Sequence, residues 1–326
     1  MLSGRVAAVA CRAFASQPGM SSTIRVAELK ELIKKAPSSL RLLDATYSPA
    51  PACTPEEFAE KKCGKFDELM AELKNPEYEK EHIPGAVHFH NDIACFPSKF
   101  QKSSLYPPTL FQEYARKLGL NESDDVIVYS RGAAGGMMFA SRAWWLLRAY
   151  GMERVRVLEG GIERWKAEGG TTTAEASRPT LGNWAAKEPS ASLLATFEEL
   201  FEGGSSDGAQ RNLLDARPHP QYTGAEPLAF PPNGAPGAHL KGAKNVPIPT
   251  LLTPDGELKE ASEIANALNA AGYDPSKNSV TYCNAGTQAS MLGLALAKAG
   301  HPFRVYNGSL IETSRRAPQL ISEKGE

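Results

Sequence analysis

The sequence is poor in cysteine, has no C-x-x-C pair, no long apolar run and no excess of charge of either sign. Its five cysteines, Cys11, Cys53, Cys63, Cys95 and Cys283, make neither an even framework nor a zinc-ligand spacing. That argues against a disulfide scaffold or a structural zinc site and for a reducing compartment. Cys53 and Cys63, close in sequence, read as ordinary thiols, with a regulatory disulfide as the alternative. No apolar stretch approaches the ~18 to 20 residues of a membrane span. A formal net charge of −1 offers no general attraction for nucleic acid or an anionic membrane. A G-x-G-x-x-G fingerprint is missing too. Gly132, Gly135 and Gly136 have the wrong spacing, and no acidic strand end follows at the distance a dinucleotide ribose requires. Acidic residues are absent before Glu28, while Arg5, Arg12 and Arg25 stand among serines and alanines. Residues 1–20 therefore read as a mitochondrial transit peptide to the matrix. Met20 offers an alternative start that leaves a cytoplasmic form.

What is present is a globular composition, 42% hydrophobic and 22% charged, over 326 residues, which suits two domains better than one. Val26 to Lys35 has apolar residues at helical spacing, as does the stretch containing Phe66, Leu69, Met70 and Leu73. Leu40 to Ala45 and Asp125 to Ser130 read as short buried strands, and Met137 to Tyr150 as a helix carrying Trp144 and Trp145. The tryptophans are expected to fill a core or a domain interface. His82, His88, His90 and Asp92 superficially suggest a metal cluster. Alternate strand residues share only one face and no helical ligand pair completes the set, so no metal is expected.

Thr171 to Pro189, rich in Thr, Ala, Ser and Pro with no apolar period, reads as a linker. Beyond it the same order of segments starts again. Leu42-Leu43-Asp44-Ala45 returns as Leu213-Leu214-Asp215-Ala216, and His82-Ile83-Pro84-Gly85-Ala86 as His239-Leu240-Lys241-Gly242-Ala243. Val128-Tyr129-Ser130 returns as Thr281-Tyr282-Cys283, and Leu158-Glu159-Gly160-Gly161 as Val305-Tyr306-Asn307-Gly308. Collinear matches of this kind indicate a tandem duplication of one α/β unit. The units are placed at residues 22–170 and 191–326, with the linker at 171–190.

The two copies differ where chemistry is expected. One has Ser130, the other Cys283, which closes a β-type run and precedes the small loop Asn284-Ala285-Gly286-Thr287-Gln288 and an alanine/leucine helix. Loop N–H groups and the positive end of the helix favour an anionic sulfur there, as a nucleophilic cysteine requires. The second copy is thus expected to be catalytic and the first to be scaffold.

These segments, together with Ser141-Arg142-Ala143-Trp144-Trp145, Trp165, Asp215-Ala216-Arg217 and Gly237 to Ala243, resemble the tandem-rhodanese sulfurtransferases, the family of thiosulfate and 3-mercaptopyruvate sulfurtransferase, over about residues 24 to 318. The resemblance implies an α/β fold of two rhodanese-like domains, each an open, mostly parallel sheet flanked by helices, with the active site between them. It implies that Cys283 takes a sulfane sulfur from a small anionic donor as a persulfide and passes it to cyanide or to a thiol acceptor such as thioredoxin or glutathione. No cofactor is implied, and no nucleic-acid or membrane partner. Backbone N–H groups from Asn284 to Gln288 are expected to stabilise the sulfur anion. Arg217 resembles the arginine that holds the donor's anionic end, with a surface position or pairing to Asp215 as the competing readings.

Two departures leave the donor open between thiosulfate and 3-mercaptopyruvate. Thiosulfate-type members resemble one another in an Arg-Lys pair after the cysteine, and mercaptopyruvate-type members in a Gly-Ser; here the pair is Asn284-Ala285, so a hydroxyl would have to come from Thr287. A second substrate arginine beyond Arg217 is replaced within Gln221-Tyr222-Thr223-Gly224. A phosphatase on a related fold would need an arginine where Ala289 stands. A non-catalytic or redox-sensing binding protein is the alternative function.

Overall fold

The structure is a computed structural model, and residues 21–35, 38–202, 211–226 and 238–323 are described here. The segment read as a transit peptide, with Cys11 and Met20, lies outside them. In chain order the first half contains β1 (Thr23–Ile24), α1 (Val26–Lys35), β2 (Leu40–Asp44), α2 (Pro55–Lys61), α3 (Phe66–Glu72), α4 (Pro76–Lys80) and β3 (Val87–His88). It continues with α5 (Pro108–Lys117), β4 (Asp125–Tyr129), the single turn α6 (Ala133–Gly136), α7 (Met138–Ala149), β5 (Val155–Leu158) and α8 (Gly161–Ala167). The second half contains β6 (Leu194–Ala195), β7 (Arg211–Asp215), α9 (His219–Tyr222), β8 (Lys244–Asn245) and α10 (Ala261–Ala270). After these come β9 (Asn278–Tyr282), α11 (Thr287–Lys298), β10 (Arg304–Tyr306) and α12 (Ser309–Arg316).

Each half builds a five-stranded sheet, ordered β1-β5-β4-β2-β3 and β6-β10-β9-β7-β8. All the strand pairings are parallel. The two orders coincide when each strand of the first half is replaced by its counterpart in the second, so the duplication seen in sequence is a duplication of topology. Register agrees as well. Asp44 lies opposite Tyr129, and Asp215 opposite Tyr282. Each tyrosine hydroxyl accepts a backbone N–H from the returning loop, Ile83 at 2.9 Å and Leu240 at 3.1 Å. Both faces of such sheets are covered, and β4 and β9 are accordingly apolar or sealed along nearly their whole length.

Local sequence explains the helices. In α1 the buried Val26 and Leu29 lie on one face, with Glu28 in the first turn and Lys34 and Lys35 in the last, matching the helix dipole. In α2, Thr54 and Glu57 form a reciprocal capping box with Pro55 opening the helix. Across the molecule α7 packs on α11, and one apolar core runs through both domains. Trp144 stacks on Phe303 of the second domain at 6.0 Å between ring centroids, and Trp145 Nε1 donates to the Leu193 carbonyl at 3.1 Å. Gly293 leaves room for this contact, since a Cβ there would lie 2.4 Å from the Phe303 ring. The tryptophans thus join the halves, as their position in the sequence suggested.

The segment joining the halves is no slack tether. His82 and Thr173 exchange backbone hydrogen bonds, Trp184 is buried, and Lys187 and Ser190 donate to the carbonyls of Tyr150 and Ala149. No helix among the described residues is long and apolar enough to cross a membrane.

Candidate active site

β9 delivers Cys283 to the edge of the sheet, and α11 begins four residues later. Gly286 caps that helix at φ +91°, in the left-handed region that glycine tolerates. Its N–H turns back to donate to Cys283 Sγ at 3.1 Å. The loop is fixed from below by α12. The Cys283 N–H donates to Ser309 Oγ at 3.2 Å, and the Leu310 and Ile311 N–H groups donate to the carbonyls of Cys283 and Asn284. Cys283 is only 2% exposed. Its sulfur therefore meets one backbone donor and the positive end of a twelve-residue helix in a largely dehydrated setting, where such fixed dipoles act most strongly on an anion.

The cavity above the sulfur, about 380 Å³, lies between the domains. Cys283, Asn284, Ala285, Thr287 and Gln288 line it from the second domain. The first domain contributes Tyr47, Asp92, Lys102, Phe139 and Arg142 among others. Tyr47 stacks on Phe139 at 4.3 Å, and its hydroxyl donates to Asp92 Oδ2 at 3.1 Å. Burial, then the Asp92 charge, pushes the Tyr47 phenol well above its ordinary range, so it stays a donor. A larger cavity of about 790 Å³ adjoins, sharing Tyr47, Asp92, Lys102 and Ser103.

Five of the expected site residues thus line one cavity, and Gly286 reaches the sulfur through its backbone. Arg217 is placed elsewhere. It is fully buried, outside the cavity lining, with Nε 3.0 Å from Asp215 Oδ1, Nη2 2.6 Å from Asp215 Oδ2 and Nη2 2.6 Å from the Ala238 carbonyl. Burial works against its charge, but the Asp215 hydrogen bond and charge more than offset this and raise its pKa. The pairing that competed for Arg217 in the sequence is the one observed. A buried aspartate at the end of a strand demands a cation, and here its own loop supplies it. In the first domain Asp44 is met instead by Arg131, from the loop that corresponds to Asn284.

The three histidines are each occupied by backbone. His82 contacts the carbonyls of Tyr78 and Glu175, His88 Nε2 that of Thr46, and His90 Nδ1 accepts the Asp92 N–H. Cys53 and Cys63 are free thiols, as are Cys95 and Cys283. The resemblance implied a site between the domains, but sequence reasoning missed which residues the first domain contributes to it. The signal available for Arg142 was a guanidinium beside the tryptophan pair, in the middle of a helix whose other arginine, Arg148, falls in the last turn.

Known proteins share both the sequence pattern and the fold. The rhodanese-like domain model matches residues 26–168 and 194–314. The thiosulfate sulfurtransferase of Gallus gallus is 32% identical over 308 residues, covering 94% of this chain and 95% of its own. The 3-mercaptopyruvate sulfurtransferase of Rattus norvegicus is 30% identical over 252 residues, covering 76% of this chain and 82% of its own. The crystal structure of SseA from Escherichia coli, described as a rhodanese fold, superposes with a TM-score of 0.70 at 25% identity, over 89% of this chain and 99% of that one. The chain belongs to the rhodanese family, as a tandem two-domain sulfurtransferase whose second domain carries the cysteine loop.

Proposed function

We propose that the protein moves a sulfane sulfur from thiosulfate or 3-mercaptopyruvate through a persulfide on Cys283 to cyanide or to a thiol such as thioredoxin or glutathione. The observation that supports this most directly is the Cys283 sulfur, held under the Gly286 N–H at the floor of a cavity between the domains. With thiosulfate, the Cys283 thiolate attacks the outer sulfur; the new S–S bond forms as the S–S bond to sulfite breaks, and sulfite leaves with that electron pair. With 3-mercaptopyruvate, the carbon–sulfur bond breaks instead, and the carbon fragment takes up a proton and leaves as pyruvate. An acceptor anion then attacks the outer sulfur of the persulfide, giving thiocyanate or an acceptor persulfide and returning the Cys283 thiolate. The Gly286 N–H stabilises the sulfur anion in both states. Thr287, in the cavity lining, is the loop hydroxyl available where Ala285 has none. The adjoining cavity gives a thiol acceptor room beside the donor.

Turnover with both donors in parallel, on wild type and Cys283→Ser, tests this reading, together with mass spectrometry of the loaded protein. Wild type is expected to gain one sulfur on Cys283 and to turn over at least one donor, and Cys283→Ser to do neither. Retained transfer in Cys283→Ser overturns it, and no adduct with no turnover favours a binding or redox-sensing protein. We infer separately, from the arginine-containing, acid-free segment before Glu28, a location in the mitochondrial matrix. A fluorescent fusion lacking the first 19 residues is expected to lose that location; unchanged mitochondrial signal refutes the presequence.

A further inference from the structure

We propose that the anionic end of the sulfur donor is received by Arg142 and Lys102, two cations that the first domain presents to the Cys283 loop; this rests on the sulfurtransferase reading of Cys283. Either donor brings negative charge against a sulfur that is itself 2% exposed, where a nearby cation offsets the cost of desolvating that charge. The loop Asn284-Ala285-Gly286-Thr287-Gln288 contains none, and Arg217 lies outside the cavity lining, with its Nε and Nη2 given to Asp215 and the Ala238 carbonyl.

Arg142 meets the requirement. It projects from α7, is 3% exposed and lines the cavity, and its guanidinium lies over the Trp145 ring at 4.8 Å. Its Nη2 makes only long contacts, 3.6 Å to Cys95 Sγ and 3.5 Å to the Ser103 carbonyl. Its Nη1 is buried without a hydrogen-bond partner, and among the described residues no carboxylate pairs with the side chain. Nη1 is also close to the reacting centre. A Cβ on Gly286, the residue whose N–H holds Sγ, would lie 2.9 Å from it. Asn307 Oδ1, likewise without a partner, would lie 3.0 Å from the same Cβ. Asn307 is fixed through its Nδ2 to Gln101 Oε1 and the Ser103 carbonyl. A buried guanidinium with an open donor beside a nucleophile is costly when empty and becomes a charge-assisted hydrogen bond when an anion arrives.

Lys102 is the second cation. It is exposed, has no ion-pair partner among the described residues and lines both cavities. Its backbone is carried by a segment tied to α12 of the second domain, through Gln101 Nε2 to Glu312 Oε2 at 2.9 Å and Arg315 to the Lys99 carbonyl at 3.2 Å. The nearby carboxylate, Asp92, is already engaged by the Tyr47 hydroxyl and the Ala50 N–H. The second domain thus supplies the sulfur nucleophile and the first supplies the charge.

Donor binding is measured by calorimetry in a Cys283→Ser background, which binds without reacting, with thiosulfate and 3-mercaptopyruvate as probes. Arg142→Gln is expected to weaken binding roughly ten- to hundredfold, the loss of one charge-assisted contact. Arg142→Lys is expected to restore part of it. Lys102→Gln is expected to weaken it by a smaller factor that shrinks as salt is added. With Cys283 intact, the same substitutions are expected to raise KM for donor by factors in the same order. Unchanged donor affinity and KM in folded Arg142→Lys and Lys102→Gln overturn the assignment, and these two decide it if Arg142→Gln does not fold. Arg142-dependent binding of donor with no persulfide on wild-type Cys283 would retain this anion site and discard the transfer reaction.

Discussion

Ser130 and Cys283 stand at equivalent strand ends, yet their side chains have opposite employment. The Ser130 hydroxyl donates to the Gly136 carbonyl at 2.6 Å and accepts the Ala140 N–H at 3.2 Å, so it serves only to shape its own loop. The Cys283 sulfur accepts the Gly286 N–H and otherwise faces the cavity. His90 shows how strongly burial acts on single residues in the first domain. Burial, then the neighbouring His88, pushes its pKa from 6.5 to about 4, and its Nδ1 must stay unprotonated to accept the Asp92 N–H. His88 is shifted down as well, chiefly by burial. Between these pH values the unfolded chain binds a proton that the folded chain refuses, so stability is lost as pH falls from 6.5 toward about 4. The loss from His90 is on the order of 3 kcal/mol. Urea midpoints compared at about pH 7.5 and 4.5 are expected to fall in wild type and to fall less in His90→Gln. Equal drops in the two proteins would contradict this account.

At the scale of elements, legibility followed the range of the forces involved. β4 was readable from its apolar run, β2 and β7 from the shared Leu-Leu-Asp, and β9 from β-type residues ending in Tyr, like β4. α1 and α3 were readable from spacing alone. The Cys283 loop was readable because a strand, a small loop and a helix are contiguous in sequence. The opposite wall of the cavity was not. Tyr47, Asp92, Lys102 and Arg142 come from separate segments with no shared period, and only tertiary packing brings them together. The position of Arg217, paired and outside the cavity lining, was not legible for a related reason. Sequence shows that a cation follows Asp215, but the 0% exposure of both groups, which makes their pairing compulsory, is a property of the folded sheet. The loop donors illustrate the same limit. Any N–H from Asn284 to Gln288 was eligible, and the left-handed turn at Gly286 selects its own.

At the scale of the molecule, the two domains are joined by buried charge as well as by tryptophan. Lys298, at the end of α11, reaches Glu159 of the first domain at 2.6 Å, with only 12% and 2% of the two side chains exposed. Lys298 also donates to the Leu258 carbonyl. Lys298→Met leaves Glu159 buried without its cation and is expected to cost ~3–5 kcal/mol. Lys298→Met/Glu159→Gln, which removes the stranded charge, is expected to recover much of it. Urea unfolding of the single and double variants checks this; a double variant no more stable than the single would show that the pair contributes packing and not charge.

The linker has a bearing on how the molecule is made. From Thr173 to Leu193 it is pinned along finished surfaces of the first domain: the His82 backbone, the Leu120 carbonyl that receives the Trp184 N–H, the end of α7, and Trp145. β6 begins at the next residue, Leu194. A chain emerging from the ribosome amino-terminus first completes that surface before β6 exists. The first domain then acts as a template, laying down the starting strand of the second in a fixed place before the rest of its sheet has been synthesised.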